Sequence, residues 1–289
     1  PDQNMNFDAK RVKNTNSEYH ADKDILSSSM LKSALISPLK FIHSLTTHIE
    51  PTPSMMYGTL MHALITEPEA VNDIVALSPQ PLARDAASRL FREANPGRLC
   101  MWLGDFQNAQ HLARMTLDAK FRGRHFYKFI EESVCERSTY YTDPTTGMKC
   151  RTRSDIEHFD FTFDLKTTRY YGPREFQLDS VRLDYDLSAY MYTFARVLAE
   201  SQDAGQVVDP KPFVLVPIFN TQPYGVFFRP CDNDFMLNGQ KKYNAAMKTI
   251  AGCREADFWP TTSGEVPMGL DHWQQYDAKT APWVSALTS

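Results

Sequence analysis

The chain of 289 residues predicts an α/β or α+β fold, in which helices flank one central mixed β-sheet and a helical region comes first. Three observations predict it. Residues 136–166 read as three consecutive strands. A segment with helical spacing, 174–201, follows them. Then comes FVLVPIF at 213–219, a continuous apolar run of the kind expected of a strand buried on both faces. Strands and helices mix around one sheet rather than forming separate blocks.

Taken in order, residues 1–18 are polar and read as a loose arm. Ser27 caps a short helix carrying Met30, Leu31 and Leu35, which Pro38 ends; a second amphipathic stretch spans Phe41–Leu45. Residues 50–54 are a loop. In 55–69, Met56, Leu60, Ala63 and Leu64 recur at helical spacing, with His62 on the same helix. Gly58 inside it costs about 1 kcal/mol relative to alanine and marks a candidate close approach of another backbone. Residues 78–132 form a helical insert with two basic clusters, Arg84, Arg89, Arg92 and Arg98, then Lys120, Arg122, Arg124, His125 and Lys128. Each fits a phosphate path or a solvated helix face.

The strands follow. ERSTYYT at 136–142 and MKCRTRSDI at 148–156 flank DPTTG, which is strong turn chemistry. Glu157 and His158 connect to the third strand, 159–166. After the helix, 201–212 is a loop. Pro217 within the apolar run argues for a bulge or an edge position. TQPYG turns the chain into Val226–Phe228, and a last helix spans about 232–251. From Pro260 the text is loop-like, with Trp273 and Trp283. One domain over 19–260 and a tail over 261–289 follow from this reading.

Composition narrows the class. Apolar residues make up 42% and charged residues 23%, ordinary for a globular protein. No apolar run approaches the roughly 18 residues a membrane helix needs, and the N-terminal text lacks a signal-peptide core. The five cysteines are scattered with no CxxC pair, which suggests neither a zinc site nor a disulfide framework and points to a reducing cytoplasm. A net charge of −4 does not advertise a nucleic-acid binder, although binding depends on where the charges lie.

The chemistry concentrates in MKCRTRSDIEHFDFTFDLKTT, 148–168. Strand side chains alternate faces. Phe161, Phe163 and Leu165 share one face, which reads as core, and Thr162, Asp164 and Lys166 share the other. Asp155 joins them from the neighbouring strand, with Arg151 and Arg153 on its own face. Mg²⁺ is usually held by one or two carboxylates plus substrate phosphate, so Asp155 and Asp164 fit a metal that activates water for phosphodiester hydrolysis. Lys166 would polarise that water or neutralise a phosphate oxygen. An aspartate-x-lysine pair alone is more often an exposed ion pair, and a lone helix histidine such as His62 is more often a core or surface residue than a ligand.

The pattern SD–(8)–DLK resembles the PD-(D/E)xK nuclease superfamily, with Ser154 in place of the proline. YHA at 19–21, SSSML at 27–31, YGTLMHALITEPE at 57–69, the DPTTGMKCRTRSDI run, DLKTT at 164–168 and FWP at 258–260 are similar in order and spacing to the RecE-type nuclease domain of phage and prophage exonucleases. The resemblance spans roughly 19–260. It implies a restriction-endonuclease-like core and a 5′→3′ exonuclease acting on double-stranded DNA ends. The enzyme would require Mg²⁺, which Mn²⁺ could replace, and leave 3′ overhangs for recombination; the scattered cysteines cannot supply the four-cysteine set of iron–sulfur members, so no cluster is expected. It implies His62 as a metal ligand beside Asp155 and Asp164, with Lys166 catalytic. Glu67, Arg151 and Arg153 are candidates for substrate contact or support. Where relatives carry a glutamine and a tyrosine four apart, this chain has Ser188 and Tyr192, which weakens the contact expected at the first. The resemblance further implies a homo-oligomeric ring, a RecT-like annealing protein as partner, and a bacterial cytoplasm. Two other readings stand beside it: a DNA-binding or partner-binding module with a decayed site, and a structure-specific endonuclease.

Overall fold

The computed structural model describes residues 8–47, 50–169 and 172–260. The chain opens with β1 (Ala9–Val12) and α1 (Asn16–Ala21), whose N-terminus is closed by a reciprocal capping box between Thr15 and Glu18. Helix α2 (Ser28–Ile36) ends at Ser37. The Ser37 hydroxyl then accepts the Lys40 amide and starts α3 (Pro38–Thr46), so one serine separates two helices. Helix α4 (Pro53–Thr66) begins earlier than its apolar spacing suggests, because Thr52 caps it and Pro53 fits the first turn.

The insert expected to be helical carries short strands as well. It runs α5 (Val71–Ile74), β2 (Val75–Ser78), α6 (Ala86–Glu93), β3 (Leu99–Trp102), α7 (Leu103–Asp118), β4 (Lys120–Phe121), β5 (Arg124–His125) and α8 (Phe126–Glu131). Strands β2 and β3 pair in parallel. The main sheet adds β6 (Ser133–Thr142), β7 (Lys149–His158) and β8 (Thr162–Thr168). After α9 (Pro173–Arg182) and α10 (Tyr185–Ala204) come β9 (Phe213–Phe219), β10 (Gly225–Val226), β11 (Arg229–Pro230) and α11 (Asn233–Glu255).

The sheet order is β1-β6-β7-β8-β9-β10, with β11 also beside β9. Strands β8 and β9 are parallel and the other pairs antiparallel. This is the expected mixed sheet with helices on both faces. Leu60, Phe106, Phe126, Phe163 and Val214 pack on one face; Leu31, Phe41, Leu187, Met191 and Ile250 pack on the other.

Several expectations are corrected. The arm expected over 1–18 contains an edge strand, because residues 9–12 find β6 unpaired on that side. Glu157 and His158 belong to β7 and pair with Val134 and Ser133, so the connection is Phe159–Phe161. The helix expected over 174–201 is two helices, broken where Asp184 turns left-handed at φ +53°, a conformation short polar residues tolerate. Pro217 occupies neither an edge nor a bulge of its own strand: the neighbouring ladder is interrupted there, between β10 and β11. Gly58 is not a backbone contact; a β-carbon there would meet only the Thr167 hydroxyl at 3.6 Å. The tail 261–289, with Trp273 and Trp283, lies outside the described residues.

Candidate active site

The site forms where β7 and β8 part. Their ladder holds only at Ile156–Phe163 and Glu157–Thr162. Beyond it, the Asp155 side chain spans the gap, its Oδ2 accepting the Leu165 amide at 2.7 Å. Parity places Asp164 and Lys166 on one face of β8 and Phe163 and Leu165 in the core, as expected. Asp155 and Asp164 are 8% and 3% exposed, deep for two neighbouring carboxylates.

Two further elements reach this fork. Helix α4 brings His62, whose Nε2 donates to the Leu165 carbonyl at 3.1 Å, since a carbonyl can only accept. Nδ1 then faces Asp155 Oδ1 at 3.6 Å and Glu136 Oε1 at 3.9 Å. Strand β6 brings Glu136. Ligand atoms of His62, Glu136 and Asp155 lie within 4.8 Å of one another. Asp164 stands outside that triad, because its Oδ2 pairs with Lys166 Nζ.

Electrostatics follow from this crowding. Burial raises the Asp155 pKa and, against the pull of His62, the nearby Asp164 charge adds to it; the carboxyl is pushed up to about 7. Burial alone would lower His62, but Asp155 and Glu136 outweigh it and hold the imidazolium up to about 9. Burial likewise opposes the charge on Lys166, and Asp164 and Asp155 overcome it, keeping the ammonium well above the usual lysine range. Lys32 on α2 is pushed down to about 8, by burial first and by Lys166 second.

The donor set fits a hard divalent cation. It offers carboxylate oxygens, an imidazole nitrogen and a main-chain carbonyl in a partly buried, net negative recess. His62, Glu136 and Asp155 would hold the ion, with Asp164 and the Leu165 carbonyl beside them. His62 and Glu136 line a cleft of 1090 Å³ whose wall also includes Lys13, Glu67, Arg153, Lys166 and Tyr185.

The remaining candidate residues divide. Glu67 ends α4 and lines the cleft; burial and then Glu136 push its carboxyl upward. Ser188 is buried on α10. Tyr192 on the same helix is pushed well above the usual range, by burial first and then by Tyr19, Asp164 and Asp155, while a hydrogen bond with Ser28 opposes this. Arg151 and Arg153 both hold the fold, and Arg153 also lines the cleft. Arg151 is buried and donates to the Asp22 carbonyl at 2.6 Å; Arg153 donates to the carbonyls of Asn14 and Thr15, and both stack on Tyr19. They clamp α1 to the sheet.

The basic clusters are also largely committed. Arg98 donates to the Asn72 and Val75 carbonyls, Arg92 to Ala83, and Arg89 pairs with Glu93. Arg124 pairs with Glu132, Lys128 with Glu131, and Arg122 lies over Phe121 and Phe161.

Glu136 and Tyr185 are the site residues the sequence reading missed. Glu136 had a usable signal. The DPTTG turn pairs Thr142 with Lys149; counting back along that hairpin sets Glu136 opposite Asp155. Tyr185 carries no such signal, since its place depends on how α10 crosses the sheet.

An acidic fork with a lysine, set on this mixed sheet, is the mark of the PD-(D/E)xK nuclease class. The chain belongs to the family described as "PDDEXK-like domain of unknown function (DUF3799)", whose model matches residues 27–268. No curated protein matches it. Among solved structures it is similar to one described as a "Putative exonuclease" from Eubacterium rectale. That match has a TM-score of 0.57 and 13% identity, and covers 89% of this chain and 97% of the other. At that identity the likeness speaks for the fold.

Proposed function

We propose that this protein is a Mg²⁺-dependent exonuclease of the RecE type. It degrades linear double-stranded DNA from 5′ to 3′ and leaves 3′ single-stranded overhangs for recombination. The observation that carries this reading is the convergence of His62, Glu136 and Asp155 beside the Asp164–Lys166 pair. A divalent cation held there would lower the pKa of a bound water and stabilise charge on the phosphoryl oxygens.

The chain's own residues do the rest. The Leu165 amide fixes Asp155, and the Leu165 carbonyl fixes the tautomer of His62. Asp164 holds the Lys166 ammonium in the cleft, where it faces an incoming phosphate and stabilises the charge that grows on it. Tyr185 forms the adjoining wall. DNA ends are the substrate in this reading, a homo-oligomeric ring is the working form, and a RecT-like annealing protein takes the product strand.

The test is digestion of linear and closed circular duplex in Mg²⁺ and in EDTA, with Asp164→Ala as control. The linear form should disappear only with Mg²⁺, the circle should persist, and a 5′-labelled nucleotide should be released first. Cutting of the circle would replace the exonuclease with an endonuclease. Metal-independent survival of every substrate would leave a decayed module. Light scattering checks the ring, and co-elution with an annealing protein checks the partner.

A further inference from the structure

Lys32, on α2, is a half-buried cation beside the site; Asp164, Asp184 and Asp186 lie near enough to favour its charge, but none of them pairs with it directly. Among the described residues it forms no ion pair and no hydrogen bond. Its one close partner is the ring of Tyr185, with Nζ 5.2 Å from the centroid. The ammonium of Lys166 lies at the same 5.2 Å from that ring. Of the other lysines and arginines near the cleft, Lys13 is exposed to solvent, whereas Lys166 has Asp164, Lys242 has Asp184 and Asp186, and Arg153 has the carbonyls of Asn14 and Thr15.

A partly desolvated ammonium with carboxylates only at a distance is less favourable than one that an anion contacts directly. The aromatic ring compensates only in part. Two ammoniums share one ring and are therefore no further apart than twice 5.2 Å. Phosphates on one DNA strand follow each other at about 3.4 Å of axial rise. That separation suits the reacting phosphate and a near neighbour on the same strand.

We propose that Lys32 is a DNA-phosphate-binding residue, seated on Tyr185, that grips a backbone phosphate close to the one facing Lys166. The proposal rests on the nuclease reading above. Lys32 then positions the strand, while Lys166 acts at the reacting phosphate. The bland alternative is that Lys32 only packs α2 against α10 through Tyr185.

The two are separated with the full chain, Lys32→Met and Lys32→Arg. Binding to blunt linear duplex is measured with Ca²⁺ in place of Mg²⁺ over a range of salt concentrations. Loss of one phosphate contact should reduce the slope of log K against log salt by about 0.9, and Lys32→Arg should restore it. In Mg²⁺, Lys32→Met should raise KM about tenfold with kcat changed far less, the signature of lost uniform binding. A wild-type slope in Lys32→Met overturns the proposal, whatever happens to its melting temperature. Should Lys32→Met fail to fold, Lys32→Gln is read by the same slope. Wild-type protein that binds and cuts duplex beside a variant of unchanged slope strikes Lys32 alone. Wild-type protein that neither binds nor cuts it overturns the nuclease reading and Lys32 together.

Discussion

Glu136 and Asp155 face each other across the β6–β7 hairpin, flanked by the pairs Cys135–Ile156 and Arg137–Ser154, yet they leave the ladder between those pairs. Glu136 adopts φ +49°, the left-handed region, at a cost on the order of 1–3 kcal/mol. Directly opposed carboxylates add repulsion. A fold keeps such a pair where a cation will share it. Glu136→Gln should therefore leave the metal-free protein at least as stable as wild type. It should also abolish most of the Mg²⁺-dependent rise in Tm that binding to the native state produces. Cleavage should fall by more than the roughly 10–100-fold that loss of an outer partner costs. A wild-type Mg²⁺ shift in this variant would remove Glu136 from the ligand set.

The same crowding sets a pH dependence. Asp155 titrates near 7 in the folded protein, above its unfolded value of about 3.9. Its protonated form is the one folding favours, so this contribution is full below about pH 4 and is lost as pH rises through 7. His62 acts in the same direction: its stabilising proton is fully present below about 6.5 and is lost through about 9. Metal-free protein should lose stability between pH 5 and 9, and the loss should shrink in Asp155→Asn. Added Mg²⁺ should reverse the trend, because ligands must shed protons to bind it. Thermal melts at three pH values, with Mg²⁺ or EDTA, decide this. A metal-free Tm that rises over the same range in wild type, and equally in Asp155→Asn, would contradict it.

Lys166 should act as a fixed charge, not as a base. Asp164 and Asp155 keep its ammonium protonated despite burial. Lys166→Met should lower kcat by roughly 10²–10³-fold, the scale of losing one preorganised electrostatic contact, with the Mg²⁺ shift in Tm retained. The wild-type pH–rate profile should show no limb from deprotonation of this lysine between pH 7 and 10. A limb that disappears in Lys166→Met would assign it acid–base work.

How much of this could be read in advance depended on whether the signal was local. Alternation along FTFDLK placed Phe163 in the core and Asp164 and Lys166 on the opposite face, because strand parity is a local rule. The DPTTG turn was legible for the same reason, since the Asp143 side chain accepts two following amides and Gly147 takes φ +68°. The structural duty of Arg151 and Arg153 was illegible: they share the face of Asp155, but only the path of α1 shows that backbone carbonyls engage them. Strand β1 was illegible, because AKRV has no alternation of its own and is ordered by the free edge of β6. The break before α10 was hidden because Asp184 is held by Lys242, 58 residues away.

Two glycines on helices should respond oppositely to alanine. Gly239 of α11 lies against the backbone of Asp186 at the start of α10, where a β-carbon would stand 2.0 Å from the carbonyl oxygen. Neither helix can yield easily there, since buried Asp186 also binds Asn238 and Lys242. Gly239→Ala should destabilise by about 1–3 kcal/mol or more, as overpacking does. At about 2–4 °C per kcal/mol for a domain of this size, the loss is readily seen in a thermal melt. Gly58 of α4 meets only a hydroxyl at ordinary contact distance. Gly58→Ala should gain up to about 1 kcal/mol of helix propensity and raise Tm by a few degrees. A Gly58→Ala variant that melts lower, or a Gly239→Ala variant that melts as wild type does, would contradict the packing of α4 on β8 or of α11 on α10 respectively.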